Sequence, residues 1–360
     1  MDSTGGQGRG VNQPISREKV LADTKRRLGR FPIEFEEKIP TLDKPLIIES
    51  ACPGWQPRMW GPPEIYHHLP PGYKEGGVRY PAVPVSIEEQ VREDIESVKA
   101  GAIVLHHHPR DPETGIMASG TNMTVPLTTE IFDRVFKEVD TVTLQHTSKK
   151  NTETGEIDYI THAKEMLERG KGNKYCQLAY VLFSGAYEPQ DNRKAAEPTR
   201  KGVEWFERNN VKPVYQIYDP SHLVHLKHLL IDSGISRWKP YILSISFGKH
   251  DSHTIHKDPW AALQLITNMN IVRETIPDSI VSIHAGGRNW LPMTVLGIML
   301  GADIIRVGIE DCYWMWPHRD EIIQKNTDTV KIAVSIANIL GRRVVTDVQE
   351  ARQILGLRAD

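Results

Sequence analysis

From about Asp43 onward, short apolar runs rich in Val and Ile alternate with amphipathic stretches. The apolar runs predict strands at 45–51, 102–108, 141–147, 175–183, 212–218, 240–247, 280–284 and 302–307. The amphipathic stretches predict helices at 86–99, 128–139, 158–169, 197–209, 221–233, 259–274, 292–300 and 320–340. Ser86 is the expected N-cap of the first of these, with Glu89 completing a capping box. Strand and helix alternate without a second cluster of strands. Such alternation implies parallel strands, and eight pairs over about 300 residues fit a closed barrel. The expected fold is therefore α/β, a single (β/α)8 TIM barrel over residues 45–360 that ends in a C-terminal helical tail. Residues 1–44 are rich in Gly, Lys, Arg and Glu and read as an N-terminal arm, partly disordered. A doubly wound open sheet is the rival architecture, but no Gly-rich phosphate fingerprint follows the first strand.

In a barrel of this kind the chemistry gathers at the carboxyl ends of the strands. The second strand ends in Leu105-His106-His107-His108-Pro109. Side chains alternate faces along a strand, so His106 and His108 share one side and His107 takes the other. Two imidazoles spaced in this way form half of a metal site. The competing reading is a polar turn whose histidines cap backbone groups. The other strand ends offer Cys52 to Gln56, His146-Thr147-Ser148-Lys149, Gln216 with Tyr218-Asp219, Ser246 with Lys249 and His250, His284 with Gly286-Gly287-Arg288, and Arg306 to Asp311. Glu310, just past the eighth strand, can complete a His2Glu set, and three protein ligands with an open position suit a catalytic zinc. An acidic loop leading into the next helix is the alternative for Glu310-Asp311.

Composition narrows the class. The chain is 39% hydrophobic and 25% charged with a formal net charge of −2, so bulk charge gives no sign of nucleic-acid binding. Three cysteines, Cys52, Cys176 and Cys312, are too few and too scattered for a disulfide framework. No apolar run is long enough to span a membrane and the polar start is no signal peptide, so a cytoplasmic enzyme is expected. Histidines at 67–68, 250, 253, 256 and 284 read as loop residues that bond backbone, not as a second metal site. Lys149, Lys150 and Lys249 are weak candidates for the phosphates of CoA.

The segment Ala100 to Asp111 resembles the metal-binding strand of the β-keto acid cleavage enzymes, the family of the 3-keto-5-aminohexanoate cleavage type. Ile305 to Asp311 is similar to its second signature. Gly287-Arg288 ahead of Pro292, and Gly341-Arg342 followed by Thr346 and Ala351 to Leu355, are similar to further segments. The likeness runs from about residue 45 to 357. It implies zinc held by His106, His108 and Glu310, a catalytic pair of Asp311 and Arg306, and Thr147 and Ser148 near the substrate carboxylate. It also implies the family reaction, in which a β-keto acid and acetyl-CoA give acetoacetate and a new acyl-CoA. In that reaction Asp311 is the base and Arg306 a cation steadying oxyanions. The partners implied are a small β-keto acid and a CoA thioester, in a homo-oligomer, a tetramer by resemblance.

Two positions depart from the pattern. Where the amine-cleaving members carry glutamates, after strand one and in strand five, this chain has Gln56 and Gln216. Amides supply dipoles but no charge, so a neutral or apolar substrate tail is expected. Trp55, Trp60 and Tyr66, at the Pro-rich loop over 56–80, fit either a lid over that tail or ordinary core or rim packing, and the same choice holds for Trp314 and Trp316. A zinc hydrolase acting on an amide, lactone or diketone without CoA is the rival function.

Overall fold

The computed structural model describes residues 16–28, 39–52, 83–115, 117–150, 157–170, 172–183, 196–218, 220–247, 260–312 and 314–358. The chain divides into two compact units, Met1–Pro40 and Thr41–Asp360. The described part of the first is a helix, Arg17–Leu28, on which Asp23 pairs with Arg26 and Arg27 at 2.7 and 2.8 Å.

The second unit is the barrel expected from the pattern. Its strands are β1 (Ile47–Ala51), β2 (Val104–His106), β3 (Val142–Gln145), β4 (Leu178–Val181), β5 (Lys212–Ile217), β6 (Tyr241–Phe247), β7 (Ser279–Ala285) and β8 (Ile304–Val307). They close in chain order, each parallel to its neighbours, with β8 returning to β1 in the register Ile47 opposite Ile304 and Glu49 opposite Arg306. A two-stranded antiparallel ribbon, Lys149–Lys150 with Ile157–Asp158, follows β3. Among the described residues no helix is long and apolar enough to cross a membrane.

Side-chain alternation divides the strands into two faces. Ile48, Leu105, Tyr215, Leu243, Ile283 and Ile305 turn outward and pack with the surrounding helices. Ile47, Val104, Val142, Leu178, Val214, Ile242, Ile280 and Ile304 fill the lower interior, with Val345, Ala351 and Leu355 of the C-terminal tail in the same apolar cluster. Two residues further along the strands the interior turns polar. Glu49, His106, Tyr180, Gln216, Ser244, Ser282 and Arg306 are all buried there. The apolar layer makes a rigid floor, and the polar layer above it carries the candidate chemistry.

Local signals explain most helix boundaries. Ser86 accepts from the Glu89 backbone N–H, and the Glu89 carboxylate accepts from the Ser86 N–H, so the capping box opens the helix Ile87–Lys99 as expected. Three boundaries differ from the sequence reading. The helix placed at 128–139 begins at Thr121 and carries Pro126 in its second turn, giving up one backbone bond. The helix placed at 221–233 is a short α-helix, Pro220–His225, that widens into a π-helical turn at Leu226–Ile231. The final long helix starts at Asn326, not 320, because its first turn is docked by side chains: Thr327 N–H and Oγ1 both donate to Glu93 Oε1 at 2.7 and 2.8 Å.

The Gly341-Arg342 motif is a structural clasp. The buried guanidinium donates to the carbonyls of Lys44, Pro45, Ile298 and Ala302, tying the C-terminal segment to the start of β1 and the turn before β8. Burial pulls its pKa down to about 10, with Asp303 opposing.

Candidate metal and catalytic site

Three ligand atoms meet at the mouth of the barrel. One nitrogen from each of His106 and His108 and one carboxylate oxygen of Glu310 lie within 4.8 Å of one another. The two Nε2 atoms are 3.0 Å apart, and Glu310 Oε2 is 3.2 Å from His106 Nε2 and 3.8 Å from His108 Nε2. His106 Nδ1 lies 3.0 Å from the carbonyl of Leu144 on β3. A carbonyl only accepts, so Nδ1 carries the proton and Nε2 presents its lone pair toward the other two ligands. A metal-ligating imidazole is held in its tautomer by such a backbone bond.

The charge balance fits a divalent cation as well. Glu49, Glu310 and Asp311 surround one guanidinium, that of Arg306, in a buried pocket. With the carboxylates ionised and His106 neutral, the cluster is two positive charges short. Burial lifts the Glu49 carboxyl from its ordinary range to about 7 against the pull of Arg306, the response of an acid short of solvent and counter-charge. The donor set and the charge both suit zinc or a similar ion.

Arg306 organises the surrounding carboxylates. Its Nε and Nη2 donate to the two oxygens of Asp311 at 2.8 and 3.1 Å, a forked pair. Nη2 also lies 2.8 Å from Glu310 Oε1, and Nη1 donates to Tyr180 OH at 2.8 Å. Tyr180 in turn donates to Glu49 Oε1 at 3.1 Å. The donors of Arg306 are therefore already directed at protein partners, and it holds Asp311 and Glu310 in place instead of reaching outward.

The loop carrying Glu310 and Asp311 is fixed by two features. Gly308 has φ +146°, and a Cβ there would lie 2.3 Å from the carbonyl oxygen of Ala51, so only glycine lets β8 leave the barrel this close to β1. The buried Asn326 accepts from the Ile309 N–H at 2.9 Å and donates to Ser50 Oγ and Ser97 Oγ at 2.8 and 3.2 Å. One side chain thus joins the loop to β1 and to the helix Ile87–Lys99.

His107 lies on the other side of β2, as the alternation requires. It sits buried beneath that same helix, Nδ1 2.9 Å from Asp94 Oδ2 and Nε2 3.2 Å from Gln90 Oε1. Thr147 and Ser148 follow β3. Thr147 is fully buried, with no hydrogen-bond partner for Oγ1 among the described residues, and Ser148 Oγ is 3.2 Å from His146 Nδ1, whose ring centroid is 5.6 Å from that of His108. Gln216 is buried on the inner face of β5, opposite Ser244 in register. Trp314 is buried in the apolar core with the Arg288 guanidinium 4.2 Å from its ring centroid, and Trp316 packs against that core and donates to Glu321. Trp55, Gln56, Trp60, Tyr66, His67, His68, Asp219, Lys249, His250, His253 and His256 lie outside the described residues.

The sequence reading passed over Glu49, Tyr180 and Asn326. Glu49 had a visible signal, a carboxylate in the middle of the apolar strand Leu46-Ile47-Ile48-Glu49-Ser50-Ala51. Tyr180 and Asn326 had none, since a tyrosine in a strand and an asparagine at a helix start are both ordinary.

The model of the beta-keto acid cleavage enzyme family matches residues 72–357. The chain belongs to that family. It is thus an enzyme of a carbon–carbon bond-cleaving family, and the motifs at 100–111 and 305–311 supply its candidate metal ligands and the Arg306–Asp311 pair. Among characterised relatives, the 3-dehydrocarnitine:acetyl-CoA trimethylamine transferase of Rhizobium meliloti (strain 1021) is 24% identical over 292 residues, covering 76% of this chain and 89% of the relative. The 3,5-dioxohexanoate:acetyl-CoA acetone transferase of Paraburkholderia graminis is also 24% identical, over 301 residues, covering 77% of this chain and 90% of the relative. Among solved structures, the ternary complex of ObcA with a C4-CoA adduct and oxalate superposes with a TM-score of 0.56 at 19% identity, over 77% of this chain and 68% of that one, a likeness of fold.

Proposed function

We propose that this family member is a zinc-dependent β-keto acid cleavage enzyme that condenses its substrate with acetyl-CoA and releases acetoacetate and a new acyl-CoA. The observation that carries the reading is the convergence of His106, His108 and Glu310 next to the forked Arg306–Asp311 pair. Two relatives that match most of the chain are named as acetyl-CoA-dependent transferases, which supports acetyl-CoA as the co-substrate.

His106, His108 and Glu310 would hold a zinc ion, which would supply Lewis acidity to the bound acid. Asp311 is the base that takes the C2 proton, oriented by the Arg306 fork one residue beyond Glu310. The C2 carbon then attacks the thioester carbonyl of acetyl-CoA, CoA passes to the former ketone carbon, and cleavage of the original C2–C3 bond frees acetoacetate. Thr147 Oγ1 and Ser148 Oγ, at the end of β3, are the hydroxyls assigned to the substrate carboxylate. Throughout, Arg306 keeps the negative groups in register and offsets their charge.

The tail of the substrate is neutral in this reading. The inner positions of β5, β6 and β7 above the apolar floor are Gln216, Ser244, Ser246, Ser282 and His284, without a carboxylate. An ammonium buried against amides and hydroxyls would lack the counter-charge that offsets its desolvation. The same reading makes the protein a cytoplasmic homo-oligomer, a tetramer by resemblance. Free, buried thiols at Cys52, Cys176 and Cys312 are in keeping with a reducing compartment.

The deciding experiment measures turnover of 3-oxohexanoate and its 5-amino derivative, each with and without acetyl-CoA. Turnover of the neutral acid that requires acetyl-CoA is the expected result. Turnover that ignores acetyl-CoA overturns the transferase reading in favour of a hydrolase, and preference for the amino compound overturns the neutral tail.

A further inference from the structure

We propose that Glu49 and Tyr180 form a positioning relay that fixes the guanidinium of Arg306 and, through it, the carboxylate of Glu310 that faces His106 and His108. The inference rests on the metal-site reading given above.

The direction of the relay follows from donor and acceptor chemistry. Arg306 Nη1 only donates, so at 2.8 Å the hydroxyl of Tyr180 accepts. The hydroxyl proton then goes to Glu49 Oε1, 3.1 Å away, and Ser244 of β6 is a further partner of the Tyr180 hydroxyl. At the far side of the guanidinium, Nη2 lies 2.8 Å from Glu310 Oε1, which leaves Oε2 as the atom 3.2 Å from His106 Nε2. Glu49, Tyr180, Arg306 and Glu310 are each 3% exposed or less. In so dry a setting a wrong rotamer of Arg306 would strand a charge, so the line of bonds admits one arrangement.

The placement of Glu49 is otherwise hard to explain. It stands in the centre of β1, between Ile47 and Ile48 on one side and Ser50 and Ala51 on the other, and burying a carboxylate there costs stability. Its side chain meets Tyr180 and Arg306, the latter at 3.5 Å from Nη1. Outer groups that orient metal ligands carry much of the affinity of such sites. Glu49 and Tyr180 are not among the three candidate ligands, although the Tyr180 ring meets that of His106 edge-on with centroids 5.1 Å apart, so they are positioning residues in a site assembled from β1, β2, β4 and β8.

The test compares Tyr180→Phe, which removes a single hydroxyl, with Glu49→Gln, which keeps the shape and removes the charge. Zinc affinity is read by competition with a chromophoric chelator, with circular dichroism, kcat and KM alongside. Both variants should fold and bind zinc about 10- to 100-fold more weakly. kcat should fall by at least about tenfold with KM within about twofold, since a displaced ligand harms chemistry more than substrate capture. The double variant should resemble either single one, because both cut the same line. Wild-type zinc affinity and kcat in both variants, additive losses, or a Tyr180→Phe protein that does not fold would each overturn the relay. Wild-type protein that binds no zinc would overturn the metal-site reading, and the relay with it.

Discussion

His107 Nδ1 lies 2.9 Å from Asp94 Oδ2, on the face of β2 that turns away from His106 and His108. One stretch of chain thus presents candidate metal ligands to the barrel mouth and a buried His107–Asp94 contact to the helix Ile87–Lys99. The division is that of strand alternation, and it separates stability from chemistry along three consecutive histidines. Because His107 and Asp94 are both buried, removing one leaves the other without this polar partner, at a cost of about 1–3 kcal/mol. His107→Ala should therefore lower Tm markedly while zinc content per folded molecule stays at the wild-type value. Loss of zinc at unchanged Tm would show that His107, not its neighbours, faces the metal.

The ligand set and the base make separable predictions. His106→Ala, His108→Ala and Glu310→Gln should each lose zinc and activity together, as elemental analysis of purified protein and a turnover assay would report. Asp311→Asn should retain zinc and fold but lower kcat by about 10²–10⁴, the usual size of a general-base contribution. A near-normal kcat in Asp311→Asn would place the base elsewhere.

Gly308 offers a test of loop geometry that touches no ligand. Alanine at φ +146° is strained by about 1–3 kcal/mol, and its Cβ would also meet Ala51 O at 2.3 Å and Asn326 Oδ1 at 2.8 Å. The backbone must shift, and Glu310 lies two residues on. Gly308→Ala should weaken zinc binding and reduce kcat, with a lower Tm. Wild-type zinc affinity in that variant would mean that the loop adapts and that the close approach does not govern the site.

Lys212, at the start of β5, gives a pH prediction. Burial pulls its amine down to about 7 from an ordinary 10.5, with Glu207 opposing and Arg358 reinforcing. Between these pH values the unfolded chain holds the extra proton, so the lysine's contribution to stability grows as pH rises from 7 to 10.5 and is lost as pH falls back to 7. Lys212→Met lacks this dependence. Denaturant titrations from pH 7 to 10 should show wild type gaining on the variant by up to a few kcal/mol, and a constant difference would mean that Lys212 stays charged in the folded protein.

Much of this architecture was legible in the sequence. The capping box of Ser86 and Glu89, the strand periodicity and the alternation of His106 with His107 are local, and each was where the pattern placed it. Helix starts were less legible. The first turn at Asn326 is decided by Glu93, a residue more than two hundred positions away, and the helix placed at 128–139 starts before Pro126, at Thr121. Trp314 and Trp316, which the sequence left open between a lid and ordinary packing, belong to the packing, Trp314 in the apolar core and Trp316 against it.

The sequence by itself determined the fold class, since alternating periods of two and about three and a half residues are properties of each segment alone. It also determined that His106 and His108 share a side, because they are two residues apart in chain that runs on extended from the end of one strand. What only the tertiary structure decided is which distant groups meet. Closure of the barrel sets Glu49 opposite Arg306, brings Tyr180 across from β4, and swings Glu310 to within 3.2 Å of His106. Those meetings depend on the register and closure of the whole sheet, which no single segment encodes, and on the low dielectric of its interior, where a carboxylate such as Glu49 is tolerable only beside the partners that closure supplies.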